Sequence, residues 1–109
     1  MRIKVTARHF KLSDELKAYA EHEAYRLKKY YEPIFDCDII LGWQKKLRYA
    51  EINIAVYGTT LTAREQTDDI NKSIDKAVDK LERQLKKYKN RVWGFNHDTI
   101  DRHTNSEES

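Results

Sequence analysis

The chain of 109 residues has little cysteine or glycine and no long apolar run, and each shortage excludes a class of protein. Its one cysteine, Cys37, cannot form an intrachain disulfide or a cysteine-based zinc site, and a chain without disulfides is typical of a reducing cytosol. Three glycines are too few for a glycine-rich phosphate loop. No stretch approaches the ~20 apolar residues of a membrane span, and the alternating N-terminus is unlike a signal peptide. We therefore expect a cytoplasmic protein with no membrane association.

Residues that could carry out catalysis or bind a metal are also sparse. The histidines lack metal-ligand spacing, and acidic pairs such as Asp68 and Asp69 are explained by helix capping. Cys37 lies in an apolar run, where a buried thiol is expected to be inert. The sequence thus predicts a binding protein and not an enzyme, with no cofactor, metal or small-molecule substrate.

The charges are numerous and unevenly distributed. Charged residues make up 36% of the chain, against ~25% in an average globular protein, while 39% hydrophobic residues can still form one core. Residues 1–92 carry 20 basic and 14 acidic groups, and residues 93–109 have a net charge of −3. We predict a basic α+β domain over 1–92 and a flexible acidic tail, or the start of a linker, over 93–109.

Hydrophobic periodicity predicts the element order β-α-β-β-β-α. Strands are predicted at 2–8, 34–43, 47–57 and beyond the Gly58-Thr59 hairpin, with helices from Ser13 toward Pro33 and over 70–91. Strand two is predicted to turn Phe35, Cys37, Ile39 and Leu41 inward, and residues 42–47 to form a basic turn. This order favours a two-layer sandwich in which both helices cover one face of a four-stranded sheet.

The second helix is amphipathic, and its charges are sorted by sign. The apolar stripe has the spacing of a core-facing side and contains Ile70, Ile74, Ala77, Val78, Leu81, Leu85 and Tyr88. The opposite side holds the cations Lys72, Lys76, Lys80, Arg83 and Lys87. The flank between these two sides holds Asp75, Asp79 and Glu82.

This row of cations has two interpretations. Like charges spaced i, i+4 repel by roughly a few tenths of a kcal/mol per pair, so helix stability alone does not favour them. A polyanion such as RNA would compensate for that repulsion. Alternatively, the row is a solvated face that uses lysine as a good helix former.

The segment DKLERQLKKYK at 79–89, after Ile74-Asp75 and the Asp68/Asp69 cap, resembles the second helix of the ribosome hibernation factors. This family includes hibernation promoting factor, the ribosome-associated inhibitor protein Y and the sigma-54 modulation protein. The first helix, which ends in RLKKYY, is similar to the family's first helix. The resemblance covers about residues 1–92 in the same element order.

The resemblance implies binding to the small ribosomal subunit and its rRNA, over the tRNA and mRNA sites, and inhibition of translation in resting or stressed cells. The residues expected to contact phosphates are Arg26, Lys28, Lys29, Lys72, Lys76, Lys80, Arg83, Lys87 and Arg91. For the three in helix one, favourable interaction with the helix dipole is an alternative role. Tyr25 is a candidate for base stacking, whereas Trp43 and Tyr49 are better explained by packing.

Two questions stay open at this point. A generic double-stranded RNA-binding module and a protein-interaction domain with solvated charges are alternative functions. The chain is either a short family member with a tail, which would hold single ribosomes inactive, or the N-terminal domain of a long member, which would promote ribosome pairing. We expect the isolated domain to be a monomer.

Overall fold

The structure of the protein is a computed structural model that describes residues 1–93, with side chains described through residue 91. Its elements are β1 (Arg2–Arg8), α1 (Asp14–Tyr30), β2 (Asp36–Gln44), β3 (Leu47–Val56), β4 (Thr59–Thr67) and α2 (Ile70–Trp93). The predicted order and the α+β class are confirmed. The predicted tail lies outside the described residues, except that Trp93 is the last residue of α2.

The four strands form one sheet in the order β1-β2-β3-β4. β1 runs parallel to β2, and a parallel pair needs a crossover, which α1 supplies. β2, β3 and β4 are joined as antiparallel hairpins. Inward residues such as Ile39, Ile52 and Ala63 are directly paired across neighbouring strands, so they form one apolar row under the helices.

Both helices pack on this face and against each other, and no element within residues 1–93 covers the other face of the sheet. α1 turns a stripe containing Ala20, Ala24 and Leu27 onto the sheet, and all three are fully buried. The α2 stripe is buried from Ile74 to Tyr88. The helices run parallel, since Tyr19 reaches Asp75 near their starts and the Tyr31 ring contacts Tyr88 near their ends.

The helix caps also follow the prediction. The Ser13 hydroxyl accepts a hydrogen bond from the Leu16 amide at 3.1 Å. At α2, an Asp69 carboxylate oxygen accepts from the Asn71 amide at 3.0 Å. Each cap satisfies an amide that the helix itself cannot pair, and this fixes where the helix begins.

Two predicted details of the β2 region are wrong. β2 begins at Asp36, so Phe35 lies outside the strand and is 56% exposed, while Ile34 occupies the buried position. The predicted basic turn over 42–47 is only Lys45 and Lys46, because β2 continues to Gln44. Gly42 lies inside the strand, where the Tyr49 ring packs against its α-carbon: a Cβ there would lie 2.2 Å from that ring.

Candidate nucleic-acid interface

The side of α2 that points away from the sheet carries a line of exposed cations, which we name the cationic ridge. Its members are Lys72, Lys76, Lys80, Arg83, Lys87 and Arg91, and all six are exposed. At about 100° per residue they lie roughly opposite the buried stripe or on the side toward β4. The structure therefore brings together the α2 cations that the sequence predicts.

Most of the ridge is unpaired within residues 1–93. Lys80 is the exception, because its ammonium lies 3.3 Å from a Glu65 carboxylate oxygen on β4. The other five cations have no ion pair in this described part of the chain. Asp79 and Glu65 share a depression with Lys76 and Arg83, but neither forms an ion pair with those two cations. Five ridge cations thus stay available to an external polyanion.

The acidic flank of α2 does not neutralise the ridge, because α1 uses its carboxylates. The Tyr19 hydroxyl donates to Asp75 at 2.5 Å. Arg26 donates to Asp79 at 2.9 Å and to Glu82 at 3.3 Å. These contacts form an acidic seam between the two helices, and they direct the α2 carboxylates toward partners on α1.

Arg26 is the centre of this seam. Besides its α2 partners, its guanidinium donates to Glu23 at 2.7 Å, and Glu23 is 9% exposed. Hydrogen bonds to Asp79 and then to Glu23 raise the pKa of Arg26 above its ordinary value. The guanidinium is thus bound by three carboxylates, and its position is explained without an external anion.

The two α1 lysines lie on different sides of the helix. Lys28 follows Arg26 by two residues, about 200° around the axis, so it lies on the flank away from α2 and is half-buried. Lys29 is exposed on the outer side. Neither has an ion pair in the described part of the chain. Of Arg26, Lys28 and Lys29, only Lys29 is classed as exposed.

The three aromatic residues considered for base stacking differ in exposure and in packing. Tyr25 is 50% exposed on the outer side of α1, one turn before Lys29. Tyr49 is only 7% exposed, and the Arg64 guanidinium lies 4.1 Å above its ring. Trp43 is stacked on Phe10. Packing therefore accounts for Tyr49, as expected. Trp43 packs on Phe10 and Arg48 but is still 43% exposed, and Tyr25 is the most exposed of these three rings.

Sequence reasoning did not assign a role to the tip of the β2–β3 hairpin. Lys45 and Lys46 form its turn, and Arg48 follows them in β3. The consecutive lysines between two strands were a visible signal, because basic residues beside tryptophan are typical of nucleic-acid contacts.

The described residues also bear on metal sites, membrane spans and nucleophiles. Among the described side chains, no group of three or more histidine, cysteine, aspartate or glutamate residues could hold a metal ion. None of the helices within residues 1–93 is long and apolar enough to cross a membrane. Burial and the nearby Asp38 raise the pKa of the Cys37 thiol to about 12, so it is a poor nucleophile.

Comparison with known proteins assigns this fold to a family. Residues 3–93 match the model of the Sigma 54 modulation protein / S30EA ribosomal protein family. A ribosome hibernation promoting factor of Pseudomonas putida is 26% identical over 89 residues, which cover 82% of this chain and 87% of that protein. This agreement confirms the resemblance inferred from the α2 segment.

Two solved structures share the architecture. A ribosomal subunit interface protein from Coxiella burnetii has a TM-score of 0.77 and 30% identity, covering 82% of this chain and 98% of that one. The N-terminal domain of Thermus thermophilus Protein Y has a TM-score of 0.74 and 30% identity, covering 81% and 99%. Since the family match spans nearly all of the described residues, the chain belongs to the Sigma 54 modulation protein / S30EA ribosomal protein family.

Proposed function

We propose that this protein is a ribosome hibernation factor that binds the small ribosomal subunit over the tRNA and mRNA sites and inhibits translation in resting or stressed cells. The names of its relatives, a hibernation promoting factor and a ribosomal subunit interface protein, support the ribosomal partner. The observation that carries the proposal is the cationic ridge, which has five exposed, unpaired cations in the described structure. Function on ribosomes also implies a cytoplasmic location.

In this proposal the ridge contacts phosphates of rRNA. Lysine and arginine on phosphates position a protein on RNA without reading bases, so shape must supply the preference for the ribosome. Each phosphate that is neutralised releases counterions, and binding therefore weakens as salt is added. A protein held this way inhibits by occupying the tRNA and mRNA path, with no chemical step.

The remaining predicted contacts have unequal roles in the proposal. Lys29 extends the phosphate contacts of the ridge onto α1, and Tyr25 offers its ring to a base beside it. Lys28 contributes on the far flank, where only a partner that surrounds α1 can reach it. Arg26 contributes least to RNA affinity, because its guanidinium is already bound by carboxylates on both helices.

Charge reversal on the ridge tests the proposal. The variant Lys76→Glu/Arg83→Glu/Lys87→Glu changes three unpaired cations and spares Lys80, whose loss would also break the contact with Glu65. We expect affinity for purified small subunits, measured by cosedimentation, to fall by at least about a hundredfold, because three phosphate contacts become repulsive.

The matched control reverses three exposed cations away from the ridge and the hairpin tip, as Arg2→Glu/Lys4→Glu/Lys17→Glu. The ion pairs that it breaks, from Arg2 to Asp36 and from Lys17 to Glu21, are exposed and contribute little to stability. It makes the same change in net charge and should bind small subunits almost as wild type does. Circular dichroism establishes that both variants are folded. Equal loss in both variants, or wild-type binding by the ridge variant, would contradict the proposal. Free competition by an RNA duplex would instead indicate a generic double-stranded RNA-binding module.

A further inference from the structure

The tip of the β2–β3 hairpin carries a second group of cations, at a distance from the ridge. The Gln44–Leu47 pair closes the hairpin, so Lys45 and Lys46 alone form the turn. Both lysines are exposed, and neither has an ion pair within residues 1–93. No acidic residue occurs between Gly42 and Ala50, so the hairpin supplies no carboxylate of its own to these lysines.

This tip is held in one conformation. The Arg48 guanidinium donates to the carbonyl oxygens of Lys45 at 3.3 Å and Leu47 at 3.2 Å. The same guanidinium lies 4.2 Å from the centre of the Trp43 ring, and that ring stacks on Phe10 at 5.0 Å with an angle of 3° between planes. The turn is therefore ordered before any partner arrives, which lowers the entropy lost on binding.

The backbone at Lys45 is unusual for a lysine. Its φ is +59°, in the left-handed region that glycine or asparagine normally occupies in hairpin turns. A side chain with a Cβ is unfavourable there, so folding alone would select glycine. The lysine is better explained by what its ammonium group binds than by the stability of the turn.

A depression of about 480 Å³ lies beside the tip. Its lining residues are Gln44, Lys45, Lys46, Leu47 and Gln66. Gln44 and Gln66 alternate with inward residues of β2 and β4, so the depression opens on the face of the sheet opposite the helices. Two ammonium groups and two amides can donate hydrogen bonds there, and no carboxylate lines it, so its chemistry fits an anion.

The hairpin is also fixed to the ridge. The Ser73 hydroxyl in the first turn of α2 donates to the Arg48 carbonyl at 2.7 Å, next to Lys72, where the ridge begins. The two cationic surfaces therefore keep a constant separation, one on the helix face and one on the open sheet face. A partner that contacts both must present phosphates on two sides of this end of the molecule.

We propose that this depression is a second RNA-binding site, in which Lys45 and Lys46 bind phosphates of the RNA backbone while the ridge holds the opposite side. The inference rests on the proposed function, because it takes the same RNA partner. Trp43 and Arg48 are positioning residues that hold the tip. The site increases affinity for RNA that encloses the hairpin end.

The test is the variant Lys45→Gln/Lys46→Gln, with small ribosomal subunits as the probe. Loss of two phosphate contacts should lower affinity by about three- to thirtyfold. It should also make the slope of log K against log salt shallower by about 1.4 to 1.8, at 0.7 to 0.9 per contact. The control Lys4→Gln/Lys17→Gln removes the same charge at other exposed positions and should change neither quantity.

A second variant separates binding from folding. Lys45→Gly removes one cation and relieves the left-handed strain, so the melting temperature should rise while affinity falls. Unchanged affinity and salt slope in the double variant, with binding lost in the ridge variant, would overturn this inference and leave the proposed function standing. Unchanged binding in both the hairpin and the ridge variants would overturn both.

Discussion

The hydroxyl of Tyr19 and the carboxylate of Asp75 join α1 to α2 through a bond of 2.5 Å. This hydrogen bond, with burial as a lesser cause, raises the pKa of Tyr19 from 10.0 to about 12. The folded state therefore favours the protonated phenol. Its contribution to stability is complete below the unfolded pKa of 10.0 and is lost as the pH rises through about 12.

We expect Tyr19→Phe to lower the free energy of unfolding by about 1 kcal/mol at neutral pH, because Asp75 loses its donor. Between pH 10.0 and about 12 this difference should shrink, since the wild type loses the same bond by ionisation. Denaturant unfolding of both proteins across that range measures the difference in their free energies of unfolding. The titration of other groups affects both proteins equally and does not contribute to this difference. A difference that stays constant with pH would contradict the assignment.

The residues of the site differ in how far the sequence could predict them. The exposed positions of Lys72, Lys76 and Arg83 follow from the 3.6-residue period of α2, which burial of the opposite stripe preserves. Local pattern could not identify the partners of Arg26, because Asp79 is 53 residues away along the chain. Because Arg26 lies near the end of α1, the sequence suggested that it interacts with the helix dipole or with RNA. In the folded protein the two helices pack together, and Arg26 binds carboxylates instead.

At the level of elements, strand and helix boundaries were predictable where a local signal marks them. Ser13 and Asp69 cap their helices as expected, because capping depends on residues close in sequence. The hairpin at Lys45 was predicted too long, since its turn lacks the usual glycine or asparagine. Phe35 was placed inward by alternation, but the chain reaches β2 through Ile34, which fills the core first.

The seam between α1 and α2 gives the element-scale prediction. Arg26→Gln removes the cation that pairs with the nearly buried Glu23, so we expect the free energy of unfolding to fall by about 1–2 kcal/mol. This is less than the loss of a fully buried pair would cause, because Arg26 itself is partly exposed. Affinity for small subunits should fall less than tenfold, or about 1.4 kcal/mol.

Lys29→Gln is the matched comparison, because this exposed lysine lies one turn of α1 away. It should change stability by no more than about 0.5 kcal/mol and lower the affinity instead. Urea unfolding and cosedimentation on both variants distinguish the two roles. If Arg26→Gln lost affinity and kept its stability, Arg26 would be a phosphate contact and not the centre of the seam.

At the scale of the whole molecule, the ridge cations of α2 are directed outward, whereas its carboxylates Asp75, Asp79 and Glu82 contact α1. Asp79 and Glu82 bind Arg26, while Lys76 and Arg83 on the same helix remain unpaired in the described structure. A modest net charge can therefore accompany a strongly cationic surface. The strength of RNA binding should follow the ridge and not the net charge of the chain.

The salt dependence of ribosome binding tests this separation of charge. If the ridge alone neutralises five or six phosphates, log K should fall with log salt with a slope of about −3.5 to −5.4 over ~100 to ~500 mM salt. Reversing Lys76, Arg83 and Lys87 should make that slope shallower by about 2 to 3, whereas the control at Arg2, Lys4 and Lys17 should retain it. Filter binding to labelled small subunits measures both. Equal slopes in the two variants would mean that net charge governs binding, and the sorting of charge on α2 would then have no part in recognising RNA.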